Sequence, residues 1–209
     1  MAIRITDDLT ITGSIIIKET GIPAQTRATI LKQDANAIFP VSLASLRVWD
    51  AYHTNLPGTA GGDDLALVGG TFGTAPPTVS AGDLKAAGAT TRYARFAVEL
   101  PECYESGETV TLAFSAGMVT TIADVSCTLD VECYEIDKIT GISADLITTA
   151  ATTINSLTFT TKLFVVTPAA LIAGDVLDVR IAVACKDAAT GTAVTATIAS
   201  IDLLADIKG

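Results

Sequence analysis

LDVRIAVAC, residues 177–185, places an apolar side chain at every second position. An alternation with a period of two predicts a β-strand that buries one face, because successive side chains of a strand point to opposite sides. SCTLDVECY, residues 126–134, repeats the alternation and is predicted to be a second strand of the same kind. The apolar-phase residues of the two segments are Leu177, Val179, Ile181, Val183, Cys185, Cys127, Leu129, Val131 and Cys133.

Three of these apolar-phase positions are cysteines, and they are predicted to be free thiols. A reduced cysteine packs in a core as a small hydrophobic side chain. The fourth, Cys103 in PECYES at 101–106, lies near a predicted strand end. The chain has no CxxC pair and only one histidine, so zinc ligation by these scattered thiols is not predicted. We therefore expect four free cysteines and no disulfide.

Turn signals separate further strand-like segments from residue 65 onward. Six segments are clear, and LALVGGTF at 65–72 with PTVSAGDL at 77–84 brings the total to about eight. About eight short strands predict an all-β fold, an antiparallel β-sandwich that is jelly-roll-like. An immunoglobulin-like sandwich is the alternative, but its disulfide-and-tryptophan core pattern is absent. The clear segments are TRYARFAVEL (91–100), ETVTLAFSAGM (108–118), DVSCTLDVECYEI (124–136), SLTFTTKLFVV (156–166), DVLDVRIAVAC (175–185) and AVTATIASIDLLADI (193–207).

The chain has 209 residues, which predicts one large domain or a domain with an attached arm. Although 49% of the residues are hydrophobic, no run approaches the roughly 18 apolar residues of a membrane-spanning helix. The N-terminal MAIRITDDLT does not have the apolar core of a secretory signal. We therefore expect synthesis and assembly in a cytoplasm, with no membrane partner.

Charge is distributed unevenly along the chain, whose formal net charge is −10. Residues 1–48 carry five basic and four acidic side chains, whereas residues 49–209 carry eight basic and nineteen acidic ones. An acidic body repels phosphate groups, so nucleic-acid binding is not expected. The change of charge also predicts a boundary between an N-terminal arm, residues 1–48, and a β-sandwich body, residues 49–209.

The arm combines strand-forming segments with few aromatic residues. Unpaired strands expose backbone donors and acceptors, and pairing them with another chain removes that liability. We therefore expect the arm to dock on a neighbouring subunit or on a larger assembly. The residues predicted to take part are Arg4, Ile15, Ile17, Lys18, Arg27 and Lys32.

WDAYHTNLPGTAGGDDLAL, residues 49–67, contains the one tryptophan, Trp49, and the one histidine, His53. A serine or cysteine nucleophile would have to rely on His53, which lies in a Gly/Pro/Asn-rich loop, and no GxSxG elbow occurs. Asp63 and Asp64 are interpreted as a turn whose carboxylates cap backbone amides. No catalytic residue is therefore predicted, and Trp49 is expected to be a structural anchor that plugs the base of the sandwich.

LDVECYEID, residues 129–137, carries four acidic side chains that could be taken for a calcium site. Calcium needs about six to eight oxygens from a loop that curls around it. Strand alternation instead separates Asp130 and Glu132 from Glu135 and Asp137 on opposite faces. We interpret the acidic residues as a solvated outer face, and no cofactor or metal is predicted.

Three stretches resemble the head decoration, or capsid cement, proteins of tailed phages. The resemblance covers about residues 49–205 and consists of the pattern of strands and turns together with the W-D…LP-G-T…DDL junction. The stretches are WDAYHTNLPGTAGGDDLALVGGTFGTAPP (49–77), AGMVTTIADVSCTLDVECYEID (116–137), and INSLTF (154–159) with TPAALIAGDVLDVRI (167–181).

The resemblance implies a non-enzymatic virion protein that binds the outer surface of a phage capsid. Its partners would be the major capsid protein and other copies of itself, as a homotrimer, and it would be assembled in the host cytoplasm. An alternative is a capsid-displayed carbohydrate-binding adhesin, for which Tyr52, Tyr104 and Phe72 are the candidate loop aromatics. A phage-borne hydrolase is disfavoured because glycosidase clefts are lined by aromatic residues, and these are only 5% of the chain.

Overall fold

Strands make up almost all of the regular secondary structure. This computed structural model describes residues 35–137, 141–167, 171–188 and 192–207, which belong to one compact unit spanning 34–208. The elements are β1 (Ala35–Pro40), a 3-10 turn (Leu43–Ser45), β2 (Ala66–Val68), β3 (Thr78–Asp83), β4 (Thr90–Glu99), β5 (Val110–Met118), β6 (Ser126–Asp137), β7 (Gly141–Ile142), β8 (Thr152–Thr153), β9 (Thr160–Val166), β10 (Val176–Lys186) and β11 (Thr195–Ile207).

The strands form two antiparallel sheets. The six-stranded sheet has the order β2-β3-β11-β5-β9, and β1 pairs with β11. The five-stranded sheet has the order β4-β10-β6-β7, and β8 pairs with β6. The early strands β3 and β4 each lie beside a late strand, β11 and β10, which is the double Greek-key arrangement of a jelly roll. The predicted all-β, jelly-roll-like sandwich is therefore confirmed.

The core lies between the sheets, and strand alternation determines which side chains enter it. On β10 the five residues of the predicted apolar phase, from Leu177 to Cys185, are at most 1% exposed. Phe114 of β5 and Phe164 of β9 are fully buried and pack edge to face, with ring centroids 5.7 Å apart. On β10, the period-two alternation therefore identified the core face correctly.

Part of the predicted arm contributes to this unit. β1 pairs antiparallel with β11, from Ala35 opposite Ile207 to Pro40 opposite Asp202, and Leu46 is buried in the core. The boundary between residues 48 and 49 stays a prediction. The docking residues Arg4, Ile15, Ile17, Lys18, Arg27 and Lys32 lie outside the described residues.

Cys127 and Cys185 form a disulfide, which corrects the expectation of four free thiols. The two residues are directly opposed in the antiparallel pairing of β6 with β10, and their Cα atoms are 4.1 Å apart. Alternation placed each cysteine on the core face but carries no information on which residues of two strands are opposed. Cys133 is buried and free, and burial raises the pKa of its thiol to about 12, whereas Cys103 is exposed and free.

Gly69 begins the loop that follows β2, and its backbone requires glycine. Its φ of +78° lies in the left-handed region, and a Cβ there would overlap the carbonyl oxygen of Pro76. We expect Gly69→Ala to lower the free energy of unfolding by roughly 2 kcal/mol or more, because the left-handed conformation alone costs about 1–2 kcal/mol. Urea denaturation measures the change.

Gly73→Ala is the matched control for Gly69→Ala. Gly73 has a similar φ of +72°, but a Cβ there would meet open space. Gly73→Ala should therefore lower the free energy of unfolding only by the cost of the left-handed conformation, about 1–2 kcal/mol. Equal losses in the two variants would mean that overlap with Pro76 contributes nothing.

Candidate binding groove

The outward face of the five-stranded sheet carries the candidate site. On its second strand, β10, the outward positions are Asp178, Arg180, Ala182 and Ala184, which alternate with the buried core residues. Alanine side chains are short, so the surface over the last two positions is lower than its surroundings. The same alternation that builds the core therefore leaves a depression on the opposite face.

Longer side chains of the neighbouring strands form the walls of this depression. Ala182 lies between Tyr93 of β4 and Asp130 of β6. In the next outward row, Ala184 lies between Thr91 and Thr128. The resulting hollow has a volume of about 320 Å³.

A second hollow, of about 290 Å³, continues the first. Glu132 and Arg180 line both hollows, so together they form one groove. From Ala184 to Asp178 this groove follows β10 for about 20 Å, at about 3.4 Å per residue. We call it the β10 groove. Its second hollow is lined by Trp49, Arg95, Glu132, Tyr134, Asp178 and Arg180.

Two ion pairs hold four of the charged side chains of the groove. Arg95 donates two hydrogen bonds to the buried carboxylate of Asp178, at 2.7 and 2.5 Å, and this pairing raises the pKa of Arg95. Arg180 donates to Glu132 Oε1 at 2.6 Å. Burial, and then the Glu132 charge, raise the pKa of Tyr134, whose hydroxyl lies 3.4 Å from Glu132 Oε2. Because each arginine is paired with a carboxylate, the charges of the Arg95 and Arg180 guanidinium groups are already neutralised.

Aromatic rings gather around the two arginines. The Trp49 ring lies 5.1 Å from the Tyr93 ring, centroid to centroid. The Arg180 guanidinium lies 5.5 Å from the Trp49 centroid and 5.3 Å from the Tyr93 centroid. The Arg95 guanidinium lies 4.9 Å from the ring of the exposed Tyr52. Stacking of cations on ring faces restrains these side chains without burying them.

Two segments that pair with the outer edge of β4 place Trp49 on this face. Arg47 exchanges backbone hydrogen bonds with Arg95, at 2.7 and 3.0 Å, two residues before the tryptophan. The Gly61–Asp64 turn docks on the same edge, where Tyr93 N donates to Asp63 O at 2.7 Å. Trp49 Nε1 then donates to Asp63 Oδ2 at 3.0 Å. The 49–67 stretch thus positions Trp49 beside Tyr93.

This placement corrects the expected position of Trp49. Its ring is half-buried on the outward face of the five-stranded sheet and does not plug the base of the sandwich. His53 is exposed and does not line the groove. Asp64 has a buried Oδ1 without a hydrogen-bond partner among the described residues, and desolvation, followed by the charges of Asp63 and Asp50, raises its pKa.

The predicted loop aromatics have three different environments. Tyr52 is exposed and lies against Arg95 at the groove. Tyr104 is fully buried and donates to the carbonyl of Glu108 at 2.7 Å, so it is no candidate for ligand contact. Phe72 is fully exposed in a separate loop, residues 70–77.

Sequence reasoning missed Tyr93, Tyr134 and Trp49 as surface aromatics. A usable signal existed for Tyr93, because alternation in TRYARFAVEL puts it in the opposite phase to Phe96. Alternation in LDVECYEID likewise places Asp130 and Glu132 on the same outer face, and both residues line the groove. The pairing that brings these residues together has no local signature in the sequence.

No metal centre is found in the part of the chain that the structure describes, since no three His, Cys, Asp or Glu side chains gather there in a way that could hold an ion. Over the same ranges, no helix has the length and apolar character needed to span a membrane.

The chain matches no family model and no curated protein sequence. Among solved structures, it is similar to the CBM22-1 xylan-binding domain from Paenibacillus barcinonensis Xyn10C, with 11% identity and a TM-score of 0.43 over 85% of this chain and 99% of that one. It is also similar to the xylan-binding module CBM15, with 16% identity and a TM-score of 0.41 over 84% of this chain and 100% of that one.

A phage protein is among the similar structures as well. The enzymatically active domain of bacteriophage CBA120 tailspike protein 4 has 10% identity and a TM-score of 0.37 over 77% of this chain, which spans 19% of that chain. At such identities the likeness concerns the β-sandwich alone, and function has to be argued from the site itself.

Proposed function

We propose that the β10 groove binds a carbohydrate chain without catalysing a reaction. The observation that carries this proposal is the position of Trp49 and Tyr93 beside a groove whose two arginines are already paired with carboxylates. Of the two non-enzymatic functions predicted from the sequence, the geometry favours the carbohydrate-binding adhesin.

The chemistry of a sugar matches the two kinds of surface in the groove. A pyranose ring presents apolar C–H groups on its faces, and aromatic rings such as Trp49 and Tyr93 offer flat apolar area at small entropic cost. Its hydroxyl groups lie at the rim of the ring, where carboxylate oxygens accept and guanidinium N–H groups donate hydrogen bonds. The groove presents both types of group within one hollow.

The two arginines of the groove are held in place before any ligand binds. Arg95 is fixed by two bonds to Asp178, and Arg180 by Glu132 and two ring faces. Groups that are already ordered lose little conformational entropy on binding, so more of the interaction energy remains as affinity. The elongated shape, about 20 Å along β10, suits several linked sugar units better than one.

Tyr93→Ala tests the proposal. Removing the ring that lies against both Trp49 and Arg180 should weaken binding of the preferred glycan at least tenfold, about 1.4 kcal/mol or more, as expected for a central aromatic contact. A glycan array identifies the preferred ligand, and isothermal titration calorimetry measures its affinity.

Phe72→Ala is the control, because Phe72 is an exposed aromatic residue that does not line the groove. It should leave the affinity unchanged, and circular dichroism should show both variants folded. Absence of binding to every glycan of the array, or equal affinity in wild type and Tyr93→Ala, would contradict the proposed function.

Capsid decoration stays a prediction from the sequence resemblance. Its predicted partners are the major capsid protein and two further copies of this chain, and its predicted place is the outer surface of a virion. A particle-bound protein can also carry a glycan-binding groove, so the two functions do not exclude each other. Sedimentation with undecorated phage heads tests the decoration, with a chain that has residues 1–40 deleted as the comparison.

A further inference from the structure

Asp130 differs from the other charged residues of the groove. The carboxylates of Glu132 and Asp178 each neutralise an arginine. The Asp130 side chain lines the groove wall next to Ala182 and makes no hydrogen bond or ion pair with any described residue. The groove therefore presents one carboxylate whose acceptor capacity is unused.

Among the residues that the structure describes, no unpaired cation lines the groove and compensates this charge. Lys186 extends the outward face of β10 beyond Ala184, but it lies four residues from the row of Ala182 and Asp130, about 13 Å along the strand. It does not line either hollow. A ligand in the groove therefore meets a local excess of one negative charge, on a chain whose net charge is −10.

We infer that the β10 groove selects uncharged glycan chains and that Asp130 recognises a pair of adjacent hydroxyl groups on one sugar unit. This inference rests on the proposed function and names its ligand class. A carboxylate has two oxygens and can accept one hydrogen bond from each of two neighbouring hydroxyls. Hydrogen bonds to a charged acceptor are stronger than those between neutral groups, so Asp130 contributes to affinity as well as to orientation.

The residues around Asp130 complete the recognition of a neutral sugar. Tyr93 lies on the other side of Ala182 from Asp130 and contributes an aromatic ring to the same hollow. Thr91 and Thr128 occupy the next row, about 7 Å further along the strands, and add two hydroxyl groups. The Thr128 hydroxyl donates to the carbonyl oxygen of Ala184 at 3.4 Å and can still accept a hydrogen bond. A sugar unit in this hollow therefore meets the Tyr93 ring on one side of Ala182 and the Asp130 carboxylate on the other.

Acidic glycans are excluded by the same arrangement. A uronate or sulfate group needs a cation that is free to pair, and Arg95 and Arg180 are both occupied by carboxylates. Displacing Glu132 or Asp178 would leave a carboxylate without its partner, and the incoming anion would also be repelled by Asp130.

The experiment uses the full chain and three polysaccharide classes in affinity electrophoresis and calorimetry. The neutral probes are xylan, mannan and β-glucan, the acidic probe is polygalacturonate, and the cationic probe is chitosan. We expect binding to a neutral probe and binding at least tenfold weaker to polygalacturonate. Asp130→Asn should lower the affinity for the neutral probe about tenfold, because an amide replaces one acceptor oxygen with a donor.

Asp202→Asn is the matched control, since Asp202 lies on β11 of the other sheet and does not line the groove. It should bind like the wild type. Equal binding of polygalacturonate, or binding of chitosan alone, would overturn the ligand class. If Tyr93→Ala loses binding and Asp130→Asn does not, the role of Asp130 is overturned while the proposed function stands.

Discussion

The Phe114→Ala variant is expected to unfold with a free energy about 3–5 kcal/mol below that of the wild type. Phe114 lies in β5, inside the six-stranded sheet, and its side chain is fully buried. The substitution removes the edge-to-face contact with Phe164, whose ring centroid is 5.7 Å away, and leaves a cavity that neighbouring strands can fill only in part.

Chemical denaturation measures this loss, with Phe72→Ala as the control. Phe72 is fully exposed, so its removal should change the free energy of unfolding by no more than about 0.5 kcal/mol. A loss of less than about 1 kcal/mol in Phe114→Ala would show that the core between the two sheets is not packed around this ring.

Reduction of the disulfide between Cys127 and Cys185 is expected to cost about 4 kcal/mol of stability. The two residues are 58 positions apart, and the entropy lost by the unfolded chain on closing a loop of that length corresponds to about this free energy. Both residues are buried on the core face of the five-stranded sheet, so the cross-link joins β6 and β10 beneath the β10 groove.

The free energy of unfolding is measured with and without a reductant, which acts on the denatured chain. The difference between the two measurements gives this value. Intact mass under non-reducing conditions gives an independent result, because the disulfide form is lighter by two hydrogens. The Cys103→Ala variant, which changes an exposed free cysteine, should behave as the wild type in both measurements. Four titratable thiols in the denatured, unreduced protein would contradict the disulfide.

Much of the fold could be predicted because the relevant signal is local. Alternation in residues 177–185 and 126–134 indicated strands and assigned each residue to the core or to the surface. The spacing of the turns between such segments then indicated a sandwich. The exposure of the loop aromatic residues was harder to predict, because a tyrosine in a turn-rich segment can be exposed, like Tyr52, or buried, like Tyr104.

The candidate groove was not predicted, although several of its residues were correctly placed on an outer face. The sequence predicts a solvated acidic face for Asp130 and Glu132, which is correct for their orientation but gives no information on their neighbours. The sequence predicts a structural role for the 49–67 stretch, because a lone histidine supports no catalysis. Its tryptophan belongs to the groove for a different reason, namely that backbone pairing of Arg47 and Asp63 attaches the stretch to β4.

The sequence by itself determined the strand character of the chain and the side of each strand that is buried, because both depend on residues one and two positions apart. Only the tertiary structure decided that Arg95 meets Asp178, 83 residues away, and that Arg180 meets Glu132, 48 residues away. It also decided that Cys127 is opposed to Cys185. Strand order and register depend on how all the strands pack together, and a shift of register by a single residue would turn the groove residues toward the core.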